Sequence, residues 1–236
     1  MTYAQGYAAP SGALGLKVIR NNGRVEHPHS AYPARELPLA DIARFGLPAR
    51  GQSPLVNDWR RANRKHLARG LRRVLPARAL RMPHFYGQLF LTVFRADGTV
   101  DEFGLASLRV VTTVGVNFLV DALQGTVEPE ILKFHAIGTG STAEATSDTA
   151  LVAESTTALN PDSTRATGSL TEGATANVFR TVGTLTADAQ IVTREHGIFS
   201  ASSAGTLLDR SVFAAVTLES GDSIQTTYDL TIAAGS

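Results

Sequence analysis

The chain has 236 residues, 43% of them hydrophobic and 18% charged, with no cysteine and a formal net charge of +1. That composition excludes disulfide stapling and thiolate metal sites, and no run approaches the ~18 apolar residues needed to span a membrane. The near-neutral total hides two electrically opposite pieces: residues 1–82 carry 15 Lys+Arg against 4 Asp+Glu, residues 83–236 carry 7 against 17. Eight of the ten prolines fall between Pro10 and Pro83. A basic, proline-punctuated arm followed by an acidic body reads as a subunit whose arm reaches a neighbour while its body folds on its own. The opening Met1-Thr2-Tyr3-Ala4-Gln5-Gly6 lacks the basic-then-apolar run of a secretion signal, so synthesis in the cytoplasm is expected.

Along residues 1–56, glycines and prolines interrupt every candidate element within a few residues. Leu16–Arg20 is read as a short strand before an Asn22-Gly23 turn, and Leu39–Phe45 as one or two helical turns. The remainder is read as extended chain. Residues 58–75 differ: Asn57 or Asp58 can cap a helix that stops at Pro76. Trp59, Ala62, Leu67, Leu71, Val74 and Leu75 approximate one face, while Arg60, Arg61, Arg64, Lys65, Arg69, Arg72 and Arg73 occupy much of the rest.

From Phe85 the pattern becomes β. Phe85–Phe94 and Thr99–Leu105 flank the Ala96-Asp97-Gly98 turn signal. Val111–Leu123 fits one short helix, with Thr112 or Thr113 near its start and Gly125 just past its end. Strands are then expected at Ile131–Ile137, Thr164–Leu170, Ala176–Leu185, Gln190–Phe199, Thr206–Leu218 and Ser223–Ile232. Short strands at this spacing describe an antiparallel sandwich or barrel.

Four places invite a chemical reading. Gly138-Thr139-Gly140-Ser141-Thr142-Ala143 matches a dinucleotide-binding glycine pattern, but the acidic, turn-rich Glu144–Thr149 does not read as the helix such a site needs. A glycine turn that lets the chain leave the sheet is preferred. Glu195 and His196 are adjacent on a strand and point to opposite faces, so they cannot act as a local dyad. His135 can meet His196 in space, as a hydrogen-bonded core or interface residue. His27-Pro28-His29 lacks a third ligand, and Asp97 and Asp222 are turn acids before they are calcium ligands. No catalytic, cofactor or metal residues are therefore assigned.

The basic helix remains, with three readings: docking on an acidic protein surface, binding nucleic-acid phosphates, or a solvated face. Leucines at helical spacing favour docking. Trp59, Leu67, Leu71 and Leu75 would serve as apolar anchors, with Arg60, Arg61, Arg64, Lys65, Arg69, Arg72 and Arg73 around them.

Over roughly residues 86–236 the order of segments resembles a family of structural proteins of tailed bacteriophages, found among capsid and tail genes. The resemblance rests on VTTVGVNFLVDAL, on FHAIGTGSTAEATSDTALVAE, on STRATG, on VTREHGIFSA, and on LLDRSVFAAVTLESGDSIQTTYDLTI. The GTG turn before SDTAL and the E-x-G-I-F strand before LLDRSVF are its most specific parts. It implies a virion β-sandwich with no catalytic residues. The expected fold is therefore mainly β: an antiparallel, jelly-roll-like sandwich with one short helix (83–236), preceded by an extended basic arm containing one amphipathic helix (1–82). The expected function is a non-enzymatic capsid decoration or cement protein, with a tail, baseplate or head–tail connector component as the alternative. A nucleic-acid-contacting virion protein is the third reading. The expected partners are copies of itself, as a homotrimer, and the major capsid protein or other virion proteins, with no membrane and no cofactor.

Overall fold

A computed structural model describes residues 3–8, 14–19, 25–26, 47, 51–79, 84–109, 111–162, 164–172 and 175–233. Strands β1 (Tyr3–Ala8), β2 (Leu14–Ile19) and β3 (Val25–Glu26) form a small antiparallel sheet in the order β1-β2-β3. Of these, only a strand near Leu16–Arg20 was expected, so extended chain is corrected here to a three-stranded meander. The segments Leu39–Phe45 and His27–His29 and the Asn22-Gly23 turn lie outside the described residues.

The basic helix α1 spans Pro54–Ala79, longer at both ends than 58–75. Its start is set by Ser53-Pro54. The Ser53 hydroxyl accepts the Val56 N–H at 3.3 Å, and a proline at the first helical position gives up only a donor that would have no intrahelical partner. Asn57 and Asp58, expected as caps, therefore lie one turn inside. Pro76 removes one intrahelical donor, yet the helical path runs on to Ala79.

The body is a β-sandwich. The larger sheet has the order β5-β4-β13-β10-β7, with β9 also pairing β10; the smaller has β12-β11-β6-β8. Its strands are β4 (His84–Phe94), β5 (Val100–Arg109), β6 (Phe134–Gly138), β7 (Leu159–Asn160), β8 (Ala166–Thr167), β9 (Ser169–Glu172), β10 (Val178–Ala187), β11 (Ile191–Phe199), β12 (Leu207–Leu218) and β13 (Ser223–Ala233). All pairs are antiparallel. Leu89, Leu91 and Val93 of β4 meet Ile137, Phe213, Val216 and Leu218 of the facing sheet in the core. β4 reads as a nearly continuous apolar run because it is covered on both faces: Tyr86 and Phe90 pack on its other side against Leu67 and partly buried Leu71 of α1. Helix α2 (Thr113–Leu123) begins at Thr112, whose hydroxyl accepts the Gly115 N–H at 3.0 Å, and ends before Gly125 at φ 73°. Its Phe118 closes one end of the sandwich with Leu132, Ile198 and Tyr228.

Candidate functional site

α1 is built into this body. Val56, Trp59, Asn63, Leu67 and Gly70 recur every three or four residues along its buried side, and that side crosses two edge strands, β5 and β12. Both strands are bulged where the helix passes. Ala106 is skipped between Leu89↔Ser107 and Phe90↔Leu105, and Phe213, Ala214 and Ala215 lie opposite Arg194 alone between Thr193↔Val216 and Glu195↔Val212. A bulge strips backbone groups of their ladder partners, and α1 supplies replacements. Asn63 Nδ2 donates to the Ala106 carbonyl at 2.8 Å, its Oδ1 accepts the Ala214 N–H at 2.9 Å, and Trp59 Nε1 donates to the Ala214 carbonyl at 2.8 Å. One fully buried asparagine thus ties the edges of both sheets together. Trp59 also stacks obliquely on Phe103, ring centroids 4.8 Å apart. Further along, a side chain at Gly70 would sit 2.3 Å from the Leu108 carbonyl, so only glycine permits this approach.

The expected docking site is thereby divided. Trp59 and Leu67 are buried in their own chain's core, and Leu71 is half-buried, so they are not free to anchor a neighbour. This corrects the boundary at residue 82: α1 belongs with the body. Arg60 is buried and engaged. Arg69 pairs with Glu144 at 3.3 Å and Arg61 with Asp58 at 2.7 Å. The Arg73 side chain lies outside the described residues. Leu75 is 37% exposed. Arg64, Lys65 and Arg72 point to solvent, and among the described residues no carboxylate pairs with them.

A second surface was not anticipated. On α2, Val116, Val120 and Leu123 are 42%, 47% and 88% exposed and line one ridge at i, i+4, i+7. Asp121 lies on the same helix, and Glu128 and Glu130 follow it, all exposed.

Among the described residues that suggested chemistry, Glu195, His196, His135, Asp97 and Asp222 make contacts within the fold. Glu195 is fully buried, accepting the N–H groups of Gly140, Val152 and Ala153 at 3.1, 3.1 and 2.7 Å and pairing with Arg210 at 2.7 Å. Arg210 also binds Asp148 at 3.0 Å and the Thr142 carbonyl at 3.1 Å. The GTG turn wraps this carboxylate: a side chain at Gly138 or Gly140 would lie 2.6 or 2.4 Å from Glu195 Oε1. No helix follows it, so the segment is the glycine turn of the sequence reading. A carboxylate that holds three backbone N–H groups and an arginine is a strut for the 138–153 loop.

On the opposite face of β11, His196 meets His135, as the sequence reading allowed. His135 Nδ1 is 3.0 Å from His196 Nε2 and 2.7 Å from Thr226 Oγ1; its Nε2 is 3.1 Å from Thr181 Oγ1. These four side chains join the two sheets across the core. Burial lowers the His135 pKa to about 3, so the ring is neutral near pH 7. Asp97 accepts the Thr99 N–H and hydroxyl, both at 2.8 Å, as a turn acid. At the same end of the sandwich Asp222 accepts the Ala96 and Glu219 N–H groups and Arg95, which also holds Asp101. Burial works to raise the Asp222 pKa, but these hydrogen bonds and the Arg95 charge outweigh it and lower it. Asn63, Arg95, Arg165 and Arg210 escaped the sequence reading. Arg165 holds Glu154 at 2.8 Å and covers the Phe199 ring at 3.4 Å.

A groove of about 490 Å³ lies between α1 and β12, with Leu55, Trp59, Ala62 and Ala215 in its wall and Asp58 and Glu219 at its rim. Among the described residues no three His, Asp or Glu side chains converge on one point, and no helix is long and apolar enough to cross a membrane. No protein-family profile matches the chain, and no curated protein matches it.

Proposed function

We propose that this protein is a non-enzymatic structural subunit of a tailed-phage virion, acting as a capsid decoration or cement protein that assembles with copies of itself, as a homotrimer, and with the shell. The resemblance of residues 86–236 to phage structural proteins supplies the class. The observation that carries it is the contrast between interior and surface. Glu195, His135, His196 and Arg210 are buried and hydrogen-bonded or paired within the fold, while α1 turns Arg64, Lys65 and Arg72 outward with no carboxylate partner among the described residues. Such a chain spends its reactive groups on holding its shape and keeps its unmet interactions for a neighbour. The neighbour is acidic, and the contact is salt-sensitive because exposed ion pairs contribute only about 0–1 kcal/mol each. Peptide mass spectrometry of purified particles from a phage encoding the chain tests the reading. Stoichiometric presence, persisting through moderate salt, is expected; absence from the particles overturns it.

The same three cations also favour a second reading, contact with packaged nucleic acid. That reading requires affinity for naked DNA whose logarithm falls steeply and linearly with log salt. The protein-docking reading predicts retention on empty shells.

A further inference from the structure

We infer that the basic face of α1 in one copy docks on the α2 ridge of a second copy, in a head-to-tail contact. This rests on the reading that the chain assembles with itself and names the two surfaces that meet. α1 carries eight Lys+Arg against Asp58 alone, whereas residues 113–131 carry Asp121, Glu128 and Glu130 and no basic residue. Within one chain the two surfaces do not satisfy each other: the ridge remains exposed, and Arg64, Lys65 and Arg72 have no carboxylate partner among the described residues.

The dimensions agree. Arg61 to Arg72 covers about 16 Å of helix, and the whole of α2 is about 16 Å long. The apolar component agrees as well. Val116, Val120 and Leu123 need cover from water, and the outward side of α1 offers Ala68 and Leu75 between its cations. Charge also chooses between symmetries. A two-fold contact of ridge on ridge would leave the α1 cations outside the contact, and α1 on α1 would set arginine against arginine, which like charges disfavour. The contact between unlike surfaces is heterologous, and repeated it closes a ring, such as a trimer, or propagates along a lattice.

Light scattering and sedimentation of the full chain test the contact at low and high salt. The wild type is expected to self-associate, more strongly at low salt. Combined Arg64→Glu, Lys65→Glu and Arg72→Glu should weaken association at least about tenfold. So should combined Asp121→Lys, Glu128→Lys and Glu130→Lys, and Leu123→Asp alone should do the same at high salt. All these positions are exposed, and unchanged thermal unfolding confirms that the variants fold. Mixing the two charge-reversed chains should restore association, which no general loss of solubility or stability would mimic. If the wild type assembles and the reversed chains assemble equally well, the docking assignment fails while the self-assembly reading survives. A wild type that stays monomeric at every concentration overturns both. Salt-sensitive binding of duplex DNA lost in the α1-reversed chain, without self-association, replaces the contact with a nucleic-acid surface.

Discussion

Replacing Asn63 by leucine keeps the branched side-chain shape and removes the polar staple between α1 and the two bulged edge strands. The Ala106 carbonyl and the Ala214 N–H then lie buried without their partner. Each orphaned group costs about 1–3 kcal/mol, while the gain in helix propensity is only a few tenths. The expected loss is therefore about 2–5 kcal/mol. Urea unfolding measures it well because Trp59, the single tryptophan, sits beside the substitution and reports on the helix–sandwich contact. With a slope of roughly 2–3 kcal/mol per molar urea, the midpoint should fall by about 1–2 M. Asn63→Asp should be as damaging, since it retains the acceptor for Ala214 but places a carboxylate against the Ala106 carbonyl. A midpoint unchanged by Asn63→Leu, with native Trp59 emission, would refute the assignment of α1 to the body and return it to a detachable arm.

Removing residues 1–50 should leave a cooperatively unfolding protein, whereas removing 1–82 strips Val56, Trp59 and Leu67 from the core and should give an insoluble or molten fragment; equal behaviour of the two fragments in thermal unfolding contradicts this. Glu195→Gln leaves buried Arg210 with Asp148 as its only charged partner among the described residues and sets an amide NH2 against N–H donors, and should cost about 3–5 kcal/mol, lowering Tm by roughly 10 °C; a shift near zero would mean that the 138–153 loop is held some other way. Because burial lowers the His135 pKa to about 3 from the ordinary 6.5, its neutral ring contributes stability that is fully present above pH 6.5. That stability drains at up to about 1.4 kcal/mol per pH unit as pH falls toward 3. NMR titration of the folded protein should find His135 still neutral at pH 5, and a midpoint near its usual value would contradict the burial.

What could be read from one dimension was local. The β4–β5 hairpin is announced by Asp97-Gly98, α2 by Thr112 and Gly125, and the final four strands by apolar runs between turn residues; each lies within a residue or two of its expected place, except that β5 runs four residues past Leu105 to Arg109. The two-residue strand β7 carries too little pattern to be seen, and Thr164–Leu170 divides into β8 and β9 around Gly168. The docking of α1 was illegible because its buried side interleaves Trp59 and Leu67 with Asn63, His66 and Gly70. Asparagine and glycine look like interruptions of an apolar stripe until bulges at Ala106 and Ala214 give them partners. The candidate site suffered from the same long-range dependence. Arg210 meets Glu195 across a strand pair, and Arg95 meets Asp222 across 127 residues. The separation of charge along the chain did identify α1 as the outlying basic element, and its solvent-facing cations are the part of that expectation still available to a neighbour.

The most direct test of the account is an electron cryo-microscopy reconstruction of the assembled particle at side-chain resolution. The account predicts the sandwich repeated in a closed or lattice arrangement, with Trp59 inside its own subunit and Arg64, Lys65 and Arg72 seated on an acidic protein surface. Density placing α1 away from its own sandwich, with Trp59 inserted into a neighbour, would contradict it.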